Sequence, residues 1–229
     1  ADGFESKDNV HQIGNVSRAE NGQPYPFFYG WSTNGILQNE SEADAYNKQY
    51  GQSAVPGDVR FVDYNRDGAL TDDDMHNIGN GYPKVTFGWN FNESYKNFDF
   101  SMLMNASTGG TAYLYTYPSS KINLERWTAE NKNARIPAAH STTNNTVVTD
   151  HFVQNTDYIK LRNVEIGYTL PKKFLSSLRI STARIYLNGQ NLAVWDKMWL
   201  KDRDPESAGG AALAYPLQRV FNIGIHVEL

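Results

Sequence analysis

Lys84-Val85-Thr86-Phe87-Gly88-Trp89-Asn90-Phe91-Asn92 decides how the rest of the chain is read. Val85, Phe87, Trp89 and Phe91 are large and apolar, and Lys84, Thr86, Gly88, Asn90 and Asn92 alternate with them. That is a two-residue period, the signature of a strand with one apolar and one polar face. A polar turn, Glu93-Ser94-Tyr95-Lys96-Asn97, follows. Phe98, Phe100, Met102, Met104 and Ala106 then alternate with Asp99, Ser101, Leu103, Asn105 and Ser107. Together the two runs predict a hairpin.

The same pattern recurs toward the C-terminus. Between Tyr158 and Leu170, Ile159 and Leu161 start on one parity, and Val164, Ile166, Tyr168 and Leu170 continue on the other. A phase slip near Arg162-Asn163 predicts a bulge. Pro171-Lys172-Lys173 ends this strand. Ala183, Ile185 and Leu187 alternate with Arg184, Tyr186 and Asn188 in a strand running to about Trp195. Phe221, Ile223, Ile225, Val227 and Leu229 alternate with Asn222, Gly224, His226 and Glu228. The expected strands of region 83–229 are 84–92, 98–107, 157–170, 182–195 and 218–229.

Connection lengths alternate too. Long stretches precede Pro83 and fill 108–156 and 196–216, while 93–97 and 171–181 are short. An antiparallel meander would put every long loop on one rim and every short turn on the other, as outer-membrane barrels do. Aromatic residues crowd the strand ends, as in an interfacial girdle. The fold class is therefore all-β, an antiparallel transmembrane β-barrel wall. The competing architecture is a secreted, soluble β-sandwich, a carbohydrate-binding module with a structural calcium. A sandwich has shorter strands and does not require the loop asymmetry. About five strands cannot close a barrel, which needs at least ~8. With an abrupt start and an end on a strand, the chain is expected to be a piece of something larger.

Composition narrows the function classes. The chain has 229 residues, no cysteine, 14 Tyr, 5 Trp and a formal net charge of -4. Mild acidity argues against nucleic acid or an anionic membrane surface as the main partner. Without cysteine there is no disulfide scaffold and no Cys-based zinc site. No signal-peptide pattern opens the sequence, and no run approaches the ~18 apolar residues of a membrane helix, which says nothing about a barrel.

Residues 1–82 read as a polar loop region around the aromatic run Tyr25–Trp31, with a short helix expected at Ser41–Tyr46 capped by Ser41. Within it, Asp63-Tyr64-Asn65-Arg66-Asp67-Gly68-Ala69-Leu70-Thr71-Asp72-Asp73-Asp74 has the spacing of a twelve-residue calcium loop. Side chains of Asp63, Asn65, Asp67 and Asp74, with the backbone carbonyl of Ala69, are the candidate ligands. A hard cation wants six to eight oxygens, which alternate short acidic and amide side chains can converge. Asp74 reaches less far than the usual Glu. Pro56-Gly57 and then Asp58–Val62, which reads as extended, precede the loop, and Met75–Pro83 after it cannot hold a long helix, so the loop is expected to be a fixed staple rather than a switch. A solvated acidic turn is the plainer alternative.

Taken in order, several motifs resemble the C-terminal third of the SusC/RagA family. They are Phe28-Tyr29-Gly30-Trp31 with Asn34-Gly35-Ile36, Pro56–Gly68, Ile78-Gly79, Tyr82-Pro83, Phe87-Gly88, Tyr95–Asp99 and Arg126–Asn131. Tyr158–Asn163, Gly167–Pro171, Asn188–Leu192, Asp204-Pro205-Glu206 and Tyr215-Pro216 continue the series. The family consists of TonB-dependent outer-membrane transporters of Bacteroidetes-type bacteria. The resemblance implies a barrel of about 22 strands, of which this chain carries the last, and an N-terminal plug. It also implies location in the bacterial outer membrane, a SusD-like surface lipoprotein over the extracellular loops, and nutrient uptake, as import of glycans or peptides driven through TonB-ExbB-ExbD. One departure is Leu229, where the family usually ends on an aromatic residue.

No catalytic motif is present: there is no G-x-S-x-G, H-E-x-x-H or phosphate loop. His11, His76, His140, His151 and His226 are scattered, and Asp202, Asp204 and Glu206 read as a solvated or salt-bridged turn rather than an acid-base pair. An enzyme is not expected. Polar 141–149 is expected to be exposed, a short helix is expected from Ser119 or Ser120 through Asn131, and Tyr113–Tyr117 reads as an aromatic edge rather than a substrate platform.

Overall fold

The computed structural model describes residues 10–13, 15–114, 125–139, 143–176, 180–201, 203–207 and 217–229. In chain order the elements are β1 (Val10–Ile13), β2 (Ser17–Glu20), β3 (Phe27–Gly30), β4 (Thr33–Ile36), α1 (Glu40–Tyr50), β5 (Val59–Phe61) and β6 (His76–Asn80). Then come β7 (Val85–Tyr95), β8 (Phe98–Thr108), β9 (Thr111–Tyr113), β10 (Val153–Asn155), β11 (Tyr158–Thr169), the single turn α2 (Lys172–Leu175), β12 (Thr182–Asp196) and β13 (Val220–Glu228). They fall into two units. One is built from residues up to Tyr82 and from 110–155, the other from 83–109, 156–207 and 217–229.

The second unit is a wall. Its sheet runs β13-β12-β11-β8-β7, and every neighbouring pair is antiparallel. Cross-strand register lines up the apolar residues. Phe91, Met102, Val164, Gly189 and Phe221 form one row across the five strands, and Phe100, Ile166, Leu187 and Ile223 continue the next. The adjacent rows are polar: Asn92, Ser101, Glu165, Asn188 and Asn222 are mutual neighbours. Among the described residues no second sheet covers the apolar face, where Trp89 is 59% and Ile223 79% exposed. A soluble sandwich would cover that face.

The expected bulge lies where the phase slips, between Leu161 and Asn163. Arg162 is the extra residue opposite β8, and β12 answers with its own irregularity, where Asn191 has φ 52. Because side chains alternate with period two, an uncorrected slip would turn Val164, Ile166 and Tyr168 to the polar face. The first hairpin is tighter than expected. Pairing continues through Glu93–Phe100 to Tyr95–Phe98, leaving only Lys96-Asn97 as the loop, with Lys96 left-handed at φ 56. Gly224 gives the Tyr186 ring room on the polar face, where a Cβ would overlap it.

The first unit differs most from expectation. Residues 10–80 carry six short strands rather than one loop: β1-β2-β3-β6 form one sheet and β4-β5 a pair. Runs of three to five residues are too short to display alternation. Helix α1 is longer than Ser41–Tyr46 and is capped by Asn39, whose side chain accepts from the Glu42 N–H, while Gly51 closes the C-terminus in the left-handed region. Trp31, Val59 and Phe61 form one core cluster, and Leu37, Ala43, Tyr46 and Ala54 another.

Segment 143–149 is not the exposed run expected from its polarity. The Asn145 side chain accepts from the Val59 N–H at 3.0 Å, and the Asn144 amide donates to the Val59 carbonyl at 3.1 Å. Both asparagines are buried and serve β5 as a surrogate partner strand. The helix expected through Trp127 and Asn131 is absent over 125–131, where Trp127 N–H instead bonds the Ile136 carbonyl; residues 115–124, with most of Tyr113–Tyr117, lie outside the described residues. Trp127 and Ala138 pack on Gly57, whose φ is 94 and whose added Cβ would lie 2.5 Å from Ala138 Cβ and 2.6 Å from the Trp127 ring. Gly57→Ala should therefore destabilise the first unit by about 1–3 kcal/mol through overpacking. Limited proteolysis of 1–82 should accelerate in the variant, and an unchanged rate would show that the contact yields freely.

Candidate functional site

Among the described residues, three places bring chemistry-bearing side chains together. The first is the expected calcium loop. Gly68 turns the chain at φ 90, preceded by Arg66 at φ 64. Asp63 accepts from the Asp67 and Gly68 N–H groups, Asn65 Oδ1 from Asp67 N–H and Asp67 Oδ1 from Ala69 N–H. Asp74 is buried and closes the loop, accepting from Tyr64 and Asn65 on one oxygen and from Thr71 on the other. Leu70 packs into both core clusters, which fixes the loop's base. The side chains predicted as ligands thus lie in one loop, occupied by its own N–H groups. Among the described residues no three His, Asp or Glu side chains are arranged to hold a metal ion.

Beside this loop is a cleft of about 480 Å³ lined by Asn34, Glu42, Ala45, Tyr46, Gln49, Tyr50, Arg60, Phe61, Val62, Asp63 and Arg66. Helix α1 supplies one wall through residues at three- and four-residue spacing, which share a face. The Tyr46 and Tyr50 rings meet edge to face at 5.4 Å. Burial pushes the Tyr46 phenol up to about 12, so it stays protonated and accepts from the Phe61 N–H. Arg60 donates to the Asn34 carbonyl through two nitrogens, at 3.1 and 2.9 Å. The sequence reading did not find this cleft; the four-residue spacing of Tyr46 and Tyr50 was its only signal, and Tyr50 lies beyond the expected helix.

The third place is on the polar face of the wall. Lys160, 2% exposed, reaches the carboxylates of Asp204 and Glu206, and Arg162 grips both Glu206 oxygens. Asn105 holds the Arg162 Nε at 2.9 Å. Asp204-Pro205-Glu206 is therefore a salt-bridged turn strapped to β11; Asp202 and His140 lie outside the described residues. Lower on the same face, Arg184 joins Asp99 and Glu165 across three strands. His76 and His151 stand apart: His76 stacks on Tyr64, and burial lowers the pKa of His151, whose ring nitrogen contacts the Arg135 carbonyl.

A wall of long antiparallel strands, apolar on one face and charged on the other, defines a section of an outer-membrane β-barrel. The comparisons agree. TonB-dependent receptor P3 of Formosa agariphila is 27% identical over 226 residues, which is 90% of this chain. TonB-dependent receptor SusC of Bacteroides thetaiotaomicron is 24% identical over 221 residues, or 93% of the chain. The RagAB peptide importer in its open-open state superposes with a TM-score of 0.68 at 22% identity, covering 99% of this chain and 25% of that one. No family model matches. The chain spans 22% and 21% of the lengths of these two receptors. Sequence and fold thus agree on the SusC/RagA resemblance, and the five strands are a section of such a barrel, from its C-terminal part and in the outer membrane. The soluble sandwich module finds no support in either.

Burial raises the Glu206 carboxyl, but hydrogen bonds and charge from Lys160 and Arg162 outweigh it and hold the group below its ordinary value. A carboxylate lowered in this way stabilises the fold above its unfolded-state pKa, and the contribution fades as pH falls through the folded value. The strap should therefore loosen on acidification below the ordinary carboxylate range. Lys160→Met should loosen it at neutral pH by about 1–3 kcal/mol, because the mostly covered Asp204 carboxylate loses its charged hydrogen-bond partner. Protease cleavage at 203–207 reports both changes. A rate insensitive to pH and to the substitution would mean the strap is held by something else.

Proposed function

We propose that this chain is the C-terminal wall section of a TonB-dependent outer-membrane importer. The observation that carries the reading is the wall: apolar rows on one face and a continuous polar face with an ion network on the other. Such a sheet suits lipid on one side and a polar passage on the other. The cargo is a glycan or a peptide, taken with a SusD-like surface lipoprotein, and energy arrives through TonB-ExbB-ExbD by way of parts of the relatives that this chain does not span. The RagAB likeness, by its description a peptide importer, is compatible with a peptide cargo for that protein. The role is passage and not catalysis. The intact protein should fractionate with the outer membrane and migrate faster on SDS gels unheated than boiled. A soluble, detergent-independent monomer would contradict this.

We also propose that Asp63, Asn65, Asp67, Asp74 and the Ala69 carbonyl take a calcium ion. The donor chemistry supports it: only oxygens are offered, at alternate positions around a left-handed glycine. Since the loop is already closed by its own hydrogen bonds, the ion would hold it against chain entropy and not create it. Chelation should then speed proteolysis within 63–74 while the heat-dependent gel shift persists, and added calcium should restore protection. An unchanged cleavage rate would show the loop to be a hydrogen-bonded acidic turn only.

A further inference from the structure

We propose that the cleft between α1 and the Asp63–Asp74 loop binds an acidic sugar unit, which narrows the cargo class and rests on the importer reading above. The distribution of free donors points there. Glu42 and Asp63 both line the cleft, but each spends its oxygens on the chain's own donors: Glu42 on the Gln38 N–H and the Asn39 amide, Asp63 on Asp67 and Gly68 N–H. Arg60 turns its Nε and one Nη to the Asn34 carbonyl, which leaves its other Nη over, and Arg66 is freer still. Among the described residues neither Arg60 nor Arg66 is in an ion pair, and Arg66, exposed at the loop tip, has no hydrogen-bond partner. An anion entering the cleft therefore meets the free planar fork of Arg66 and one spare nitrogen of Arg60, and such a fork takes carboxylate or sulfate in bidentate fashion.

The rest of the lining selects a sugar over a peptide. One recurring way to take an extended peptide is main-chain pairing along a sheet edge. Here β5 is paired with β4 on one side, and on the other its backbone groups are taken by Asn144, Asn145 and the Tyr46 hydroxyl. What remains is side-chain chemistry: the Asn34 and Gln49 amides for hydroxyl groups, and the half-buried Tyr50 ring for the apolar face of a pyranose. A volume of about 480 Å³ lies in the range of small-ligand sites. The loop's own role follows. Its left-handed residue 66 places the guanidinium at the cleft, so the loop that the sequence marks for calcium is also the arm that presents Arg66.

The test is calorimetry on the intact protein in detergent, after the gel shift has shown the barrel to be folded. Tetragalacturonate, a sulfated carrageenan tetrasaccharide, maltotetraose and tetraglutamate are titrated in turn. At least one anionic tetrasaccharide should bind at least about tenfold more tightly than maltotetraose, and which one it is tells carboxylate from sulfate. Arg66→Ala should abolish that preference, Arg66→Lys should retain part of it, and Gln49→Leu, on the exposed side of α1, should weaken the sugar without touching the loop. Absence of binding by a folded barrel, equal binding of the neutral sugar, or Arg66-dependent binding of tetraglutamate in place of the sugars would overturn the proposal and leave the importer reading standing. A protein without the gel shift would instead remove the importer reading itself.

Discussion

A strand facing lipid on one side and a polar interior on the other has no freedom of phase. Each residue's face is fixed by parity, and backbone groups must pair because hydrocarbon offers them nothing. Everything in the second unit answers to that constraint. The rows from Phe91 to Phe221 and from Asn92 to Asn222 stay in step across five strands. The one place where the sequence slips is absorbed by Arg162, and that same bulge residue is used for function-like work, reaching Glu206 on the polar side. A local defect in the ladder thus becomes the anchor of a loop.

Charge on the polar face is handled in groups. Arg184 between Asp99 and Glu165 ties three strands, and Lys160 with Arg162 ties β11 to Asp204 and Glu206. Isolated charges against a wall would be expensive, whereas paired and hydrogen-bonded ones are tolerated. The first unit solves a different problem. Its strands are too short to build a broad sheet, so side chains stand in for backbone: Asn144 and Asn145 line β5, Asn47 bonds both ways with Ala54, and Asp74 gathers three loop N–H groups.

What could be read in advance follows from these two solutions. The wall was legible because period-two alternation over nine to fifteen residues is a long signal, and even the bulge was visible as a phase error between Leu161 and Val164. Of the short strands only β5 was legible, because Asp58–Val62 reads as extended; the others were not, since three to five residues carry no periodicity. Asn144 and Asn145 were misjudged because polarity predicts exposure only when the polar groups have no internal partner. For the candidate sites, the loop from Asp63 was visible as spacing, and the Asp204–Glu206 turn as charge. The cleft was not, because it depends on Arg60 and Arg66 meeting α1 in space. Glu93–Tyr95 were assigned to the turn by their polarity, although this hairpin turns in two residues with a single left-handed position, Lys96.

The central claim is that one face of the wall meets lipid and the other a polar interior. The chain contains no cysteine, so single nitroxide labels can be placed in the intact, reconstituted protein through Trp89→Cys, Leu187→Cys and Ile223→Cys, and through their neighbours Asn90→Cys, Asn188→Cys and Asn222→Cys. Collision with oxygen, which concentrates in lipid, is compared with collision with a water-soluble nickel chelate. The account predicts that oxygen dominates at the first three positions and the chelate at the second three, switching with each one-residue step. Equal accessibility within each neighbouring pair, or chelate access at all six, would contradict it.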